Sequence, residues 1–191
     1  MTEIQNEGKE KMKDIIIEVA QPVDAEAICN IRDDAWIDAY PNLELGITVN
    51  NIELNARGPN NKFLNNRILH LQKELSGEVK REYPIFVAKD GGSVIGFVNP
   101  EIDEEGKKTI SQIYIDPKYQ SKGVGSLLLK KALEALGSDY DIYLEVVSYN
   151  QKAISFYEKY GFKKTARKVE RDPNKPDYLV DLPATQMVKR A

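Results

Sequence analysis

The chain has 191 residues, 41% of them apolar, enough for one domain with a buried core. A net charge of −3 argues against nucleic acid as the main partner, which needs a dense Lys/Arg surface. With one cysteine, Cys29, and one histidine, His70, the chain can form neither an internal disulfide nor a zinc cluster, so no metal is expected.

The opening stretch, "MTEIQNEGKEKMKD", is polar and has no apolar core of a signal peptide. No apolar run approaches a membrane span. Residues 1–13 are therefore expected as a disordered leader and 14–191 as a single domain, cytoplasmic and without membrane contact. "DIIIEVA" reads as a first strand. Pro22 and Asp24 open a helix to about Tyr40, with Asp24 as N-cap and Ile28, Ile31 and Ala35 as its buried stripe. "NLELGITVNN" reads as a loop, followed by a short helix around Ile52 to Ala56. Asn60 or Asn61 caps the next helix, where Leu64, Ile68, Leu71 and Leu75 share a face and Gly77 makes the stop.

Residues 83–116 alternate as three strands joined by "GG" and "EEGKK" turns, an antiparallel meander. A helix over Val124 to Leu136 follows, then the strand "DIYLEVV". Next come a helix from Asn150 to Gly161, the strand "FKKTARKVE", a polar loop "RDPNKPD" and a last strand near Ala184 to Lys189. The basic residues Lys163, Lys164, Arg167, Lys168 and Arg171 are interrupted by Glu170 and Asp172, as on a solvated strand face. The order predicts an α+β fold, a mixed and mostly antiparallel sheet with helices on both faces. The last strand is placed to pair across a two-fold axis if it lies at a sheet edge, which would give a homodimer.

"QSKGVG", Gln120 to Gly125, sits between a strand and a helix. A phosphate-binding Walker loop needs Lys-Ser or Lys-Thr after its last glycine, and a dinucleotide fingerprint needs a third glycine where Leu128 stands. Two readings stay open: a plain chain reversal, or a cradle in which N–H groups of residues 121–126 and the positive helix end hold a pyrophosphate, with Lys122 adding charge.

The longer string "IYIDPKYQSKGVGSLLLKKALE" resembles the acetyl-CoA signature of the GNAT superfamily of N-acetyltransferases. The matching positions are Ile115, Pro117, Gln120, Gly123 and Gly125. A second string, "NQKAISFYEKYGF", is similar to the family's other signature at Asn150, Ala153, Tyr157, Gly161 and Phe162. The resemblance implies the fold just derived and transfer of an acetyl group from acetyl-CoA to an amine. The acceptor would be a small molecule or a peptide or protein amine, attacking directly in a ternary complex. A non-catalytic acyl-CoA-binding or sensing module of the same fold is the alternative.

The resemblance also implies roles for single residues. Gln120, Ser121, Lys122, Gly123, Val124, Gly125 and Ser126 would hold the pyrophosphate. Ile113, Tyr114 and Ile115 would pair with the pantetheine arm, where the strand splays from Leu144 to Val146. A main-chain N–H near Ile115 would serve the oxyanion. Asn150 would cap its helix and touch the arm. Tyr157 matches the family's general acid; proton transfer from a phenol near 10 to a thiol near 8.5 is uphill by roughly 2 kcal/mol. The base is expected at Glu145 or at a water relay. A carboxylate mid-strand is costly without a use, and burial would raise its pKa toward that of a base. In the family branch that acetylates protein N-termini, a glutamate in a matching L-E-V segment takes this role. The acceptor pocket is expected from Trp36, Tyr40, Leu43, Tyr149 and Tyr178, aromatic walls that suit a cation and equally a plain core. Cys29, beside Ile28 in the first helix, is expected to be buried and idle.

Overall fold

A computed structural model describes residues 15–168 and 179–191. The leader expected over 1–13 and the loop "RDPNKPD" lie outside the described residues. Strand β1 (Ile16–Val19) leads into helix α1 (Ala25–Ala39), then α2 (Val49–Arg57) and α3 (Lys62–Leu75). The meander is β2 (Phe86–Asp90), β3 (Ser93–Ile102) and β4 (Lys108–Ile115). Helix α4 (Val124–Leu136), strand β5 (Ile142–Val147), helix α5 (Gln151–Glu158) and strands β6 (Lys163–Lys168) and β7 (Ala184–Lys189) complete the described chain.

The strands form one sheet in the order β1-β2-β3-β4-β5-β7-β6. Among the described strands only β4 and β5 are parallel, as their connection through α4 requires. The β2–β3 turn is made by Gly91 and Gly92, both at positive φ, which suits a two-residue hairpin. The stripe Val124, Leu128, Leu129, Ala132 and Leu136 of α4 is fully buried against β2, β3 and β4. Each of its leucines contributes about 1.5–3 kcal/mol of burial. Ile28 and Ile31 of α1 cover the opposite face, with Val87 and Phe97. Helices therefore stand on both faces of a mixed sheet, as the element order predicts.

Local departures from expectation have physical causes. The segment expected as a loop with a short helix holds a full helix, α2, nucleated by Thr48. Its hydroxyl accepts from the Asn51 N–H at 3.2 Å, and the Asn51 amide oxygen accepts the Thr48 N–H in return. Asp24 stands at the start of α1 without capping it. Its carboxylate accepts from the Gln21 N–H at 2.8 Å and pairs with Lys89 at 2.9 Å. Asn61 precedes α3 in a left-handed conformation, again with no side-chain cap. The last strand is not an edge: β7 is inserted between β5 and β6. The edge argument for a two-fold pairing therefore falls.

A buried ion cluster ties the three N-terminal helices together. Asp33 of α1, fully shielded, accepts from Arg67 of α3 through both oxygens at 2.7 Å and from Arg32 at 2.7 Å. Arg67 also donates to the Ala56 carbonyl of α2 at 2.9 Å. Cys29 lies buried beside this cluster, and burial pushes its thiol up, away from reactivity.

Candidate active site

The site begins with a fork in the sheet. Parallel pairing of β4 with β5 covers Lys108 with Ile142 and Thr109 with Tyr143. Just beyond, the β3–β4 register shifts between Asn99 and Pro100, so that Ser111 is the extra residue of a bulge. Pro100 has no N–H for the ladder, and a bulge bends its strand. The upper halves of β4 and β5 then line an open groove of about 810 Å³, within the ~300–1,000 Å³ usual for small-molecule sites. Ile113, Tyr114 and Ile115 form one wall, Glu145 and Val146 another. This is the splay expected between 113–115 and 144–146.

The glycine loop closes one end. Ser121 and Gly123 take left-handed φ values of 62° and 86°. Gly123, just ahead of α4, holds the conformation that only glycine adopts freely. Gly125 serves by size instead: a Cβ there would meet Ile115 Cδ1 at 3.2 Å and Phe156 Cζ at 3.6 Å. The N–H groups of Ser121 to Gly125 find no acceptor among the described residues and gather at the positive end of α4. The Ser126 N–H is not part of this set, because it donates to the Gly123 carbonyl at 3.0 Å. Lys122 does not line the groove itself; its ammonium lies 4.8 Å from the ring centroid of Tyr119, which does. Val124 is buried, so only its backbone faces the loop. Gln120, Ser121, Gly123, Gly125 and Ser126 do line the groove. A cradle of free N–H groups at a helix N-terminus, opening into a groove of this size, fits the pyrophosphate and arm of coenzyme A.

Helix α5 forms the next wall. Asn150 caps it, its Oδ1 accepting from the Ala153 N–H at 3.1 Å, and still lines the groove. Tyr157 lines the groove with its ring packed edge-on against Phe156 and Phe162, at 5.3 and 5.9 Å. Burial pushes its hydroxyl well above the usual tyrosine range, and nearby Tyr114 adds to that. The hydroxyl is therefore a firm proton holder and a hydrogen-bond donor at neutral pH. Glu145 corrects an expectation. It lines the groove, but it is exposed rather than buried, because the fork leaves its face of β5 uncovered.

The far end is aromatic. Tyr40 is buried and lines the groove. Burial and the Tyr114 hydroxyl push its own hydroxyl far up. Trp36 and Tyr149 do not reach the groove wall; they brace it. Trp36 Nε1 donates to the Tyr114 hydroxyl at 2.8 Å, and the Tyr149 hydroxyl donates to the Tyr40 carbonyl at 2.6 Å. Both belong to a small core with Ile47, Ile52 and Val147. Leu43 is 81% exposed and off the wall. Tyr178 lies outside the described residues.

The sequence reading missed Asp38 on α1, Lys152, Ser155 and Phe156 on α5, and Lys159 just after it, all of which line the groove. The α5 set has helical spacing and was legible as one face. Asp38 carries no local signal, since only the docking of α1 over the fork brings it in.

Comparison with known proteins agrees with this geometry. Residues 51–162 match the sequence profile of the "Acetyltransferase (GNAT) family". The chain is 35% identical over 81 residues to a spermine/spermidine N(1)-acetyltransferase of Bacillus subtilis, covering 37% of this chain and 53% of that one. It is 36% identical over 101 residues to an N-alpha-acetyltransferase of Saccharolobus solfataricus, covering 44% and 60%. The match thus spans little more than half the length of these relatives. A peptidyl-lysine N-acetyltransferase of Salmonella typhimurium is 30% identical over 121 residues, covering 63% of this chain and 78% of its own length. An N-acetyltransferase of Thermoplasma acidophilum, solved in complex with coenzyme A, shares the fold with a TM-score of 0.70 at 21% identity, over 93% of this chain and 99% of that one. From the forked strands, the glycine cradle and the matched profile together, the chain belongs to the GNAT family of acetyltransferases.

Proposed function

We propose that the protein transfers an acetyl group from acetyl-CoA to a primary amine. The observation that carries this is the fork between β4 and β5, which joins the glycine cradle to the buried Tyr157 in one groove. Backbone groups of β4 are free along the fork, where the pantetheine amides would pair as an added strand. A main-chain N–H near Ile115 would stabilise the oxyanion as the amine nitrogen bonds to the acetyl carbon. As the carbon–sulfur bond breaks, Tyr157 donates a hydrogen bond to the departing sulfur. With its hydroxyl held so far up, full proton transfer follows collapse rather than precedes it. Glu145, solvated in the groove, accepts the ammonium proton directly or through water.

The acceptor end carries Asp38 and Glu145 as wall carboxylates, neither in a salt bridge among the described residues. That favours a cationic amine. The relatives named for polyamines, N-termini and lysine side chains all act on such amines. The test is a panel of polyamines, peptide N-termini and lysine peptides, scored for acetyl-CoA-dependent thiol release. Release with at least one amine is expected; coenzyme binding without release across the panel would favour a non-catalytic module.

A further inference from the structure

Lys152 of α5 and Lys159, just after its last turn, line the groove with no acidic partner among the described residues. Lys152 Nζ donates to the neutral Gln120 Oε1 at 2.6 Å, across the groove mouth from α5 to the glycine loop. Lys159 follows the last turn of the helix in helical conformation and has no ion pair among the described residues. Ser155 lies between them on the same wall. At 1.5 Å per residue, Lys152 and Lys159 are separated by about 10 Å along one helical face. The groove is also lined by the carboxylates Asp38 and Glu145, and among the described residues Lys152 and Lys159 are its only lining cations. Of these cations, Lys152 is the one held beside the glycine loop, through Gln120.

A coenzyme with its thioester at Tyr157 and its pyrophosphate at the α4 cradle must leave its nucleoside at the loop end. The wall there is the α5 face. We infer that Lys152, assisted by Lys159, binds the ribose 3′-phosphate of coenzyme A and so selects it over dephosphorylated coenzyme. The inference rests on the acetyl-CoA reading above. In the free protein Lys152 is parked on Gln120. A doubly charged phosphate is a far stronger partner for an ammonium than an amide oxygen, so Lys152 changes partner on binding. Gln120 is then released to the pyrophosphate. No covalent step is involved.

The alternative role for Lys152 is a structural tie that only holds the loop against α5. Titration calorimetry with coenzyme A and with 3′-dephospho-coenzyme A separates the two. The wild-type chain should bind coenzyme A about tenfold more tightly, a difference of about 1.4 kcal/mol. Lys152→Ala should bring the ratio to within about threefold by weakening coenzyme A alone, and Lys159→Ala should lower it by less. Lys130→Ala, an exposed lysine of α4 off the groove, should leave the ratio unchanged. Equal weakening of both ligands in Lys152→Ala marks a structural tie and overturns the inference. An equal fall in ratio for Lys130→Ala marks a general charge effect and overturns it too. No binding of either ligand to the wild-type chain would overturn the acetyl-CoA reading itself.

Discussion

Asp33 and Asp38 share helix α1 and meet opposite fates. Asp33 is sealed from solvent and clamped by Arg32 and Arg67, which join α1 to α3. Burial pushes its carboxyl up, and the two guanidiniums offset this only in part. Asp38, on the other side of the helix, is exposed on the groove wall without an ion pair among the described residues. The two regions teach that pairing, rather than charge, separates scaffold from site here. Charges around α3 are spent on one another, whereas those around the fork are left available to a ligand.

The largest effect should come from the scaffold side. Asp33→Ala strands two guanidiniums at a largely buried position and should lower stability by about 3–5 kcal/mol in urea unfolding. A loss under about 1 kcal/mol would show that the clamp does not hold α1 to α3. On the groove side, Tyr157→Phe should leave unfolding nearly unchanged and coenzyme affinity intact. Turnover should fall about 10²-fold, or about 2.7 kcal/mol of transition-state stabilisation. The direction of the Tyr157 shift adds a pH test. A hydroxyl raised above the ordinary value of 10 keeps its proton at every lower pH, so the turnover profile should have no descending limb from this group below pH 10. A limb near pH 8 that disappears in Tyr157→Phe would contradict the buried placement.

Smaller effects sharpen the contrast. Gly123→Ala forces a side chain into left-handed backbone and should cost about 1–2 kcal/mol, shared between folding and coenzyme affinity. Equal affinity in this variant would remove the cradle from the binding account. The smallest change is expected for Asp38→Asn, an exposed carboxylate in water. KM for a cationic amine should rise a few-fold with turnover retained, and the difference should shrink at high salt. A KM insensitive to both substitution and salt would leave Asp38 outside acceptor recognition.

Much of the fold was legible because it follows from local chemistry. The last turn of α3 and the hairpin at Gly91–Gly92 are set by glycines at positive φ, and α5 is capped by Asn150. The bounds of α4 and β7 coincide with their apolar patterns. Helix α2 was hidden because its nucleus, a reciprocal Thr48–Asn51 cap, resembles a polar loop in composition. The site was legible in part for a related reason. Gly123 and Asn150 sit where a positive φ or a helix cap demands a residue type, whereas Tyr157 was marked only by the family resemblance. Trp36 and Tyr149 brace the groove instead of lining it, because an aromatic can face either way, and packing chose.

By itself the sequence determined most of the elements and their order and marked the glycine loop, whose two readings it left open; these are written in period, caps and turns within a few residues. Tertiary structure alone decided the rest. It inserted β7 inside the sheet, which removed the expected edge. It opened the fork above Ser111, which left Glu145 solvated instead of buried. It also set Lys152 across the groove from Gln120. The reason is common to all three: each depends on which strand lies beside which, and such contacts join residues far apart along the chain that no local pattern encodes.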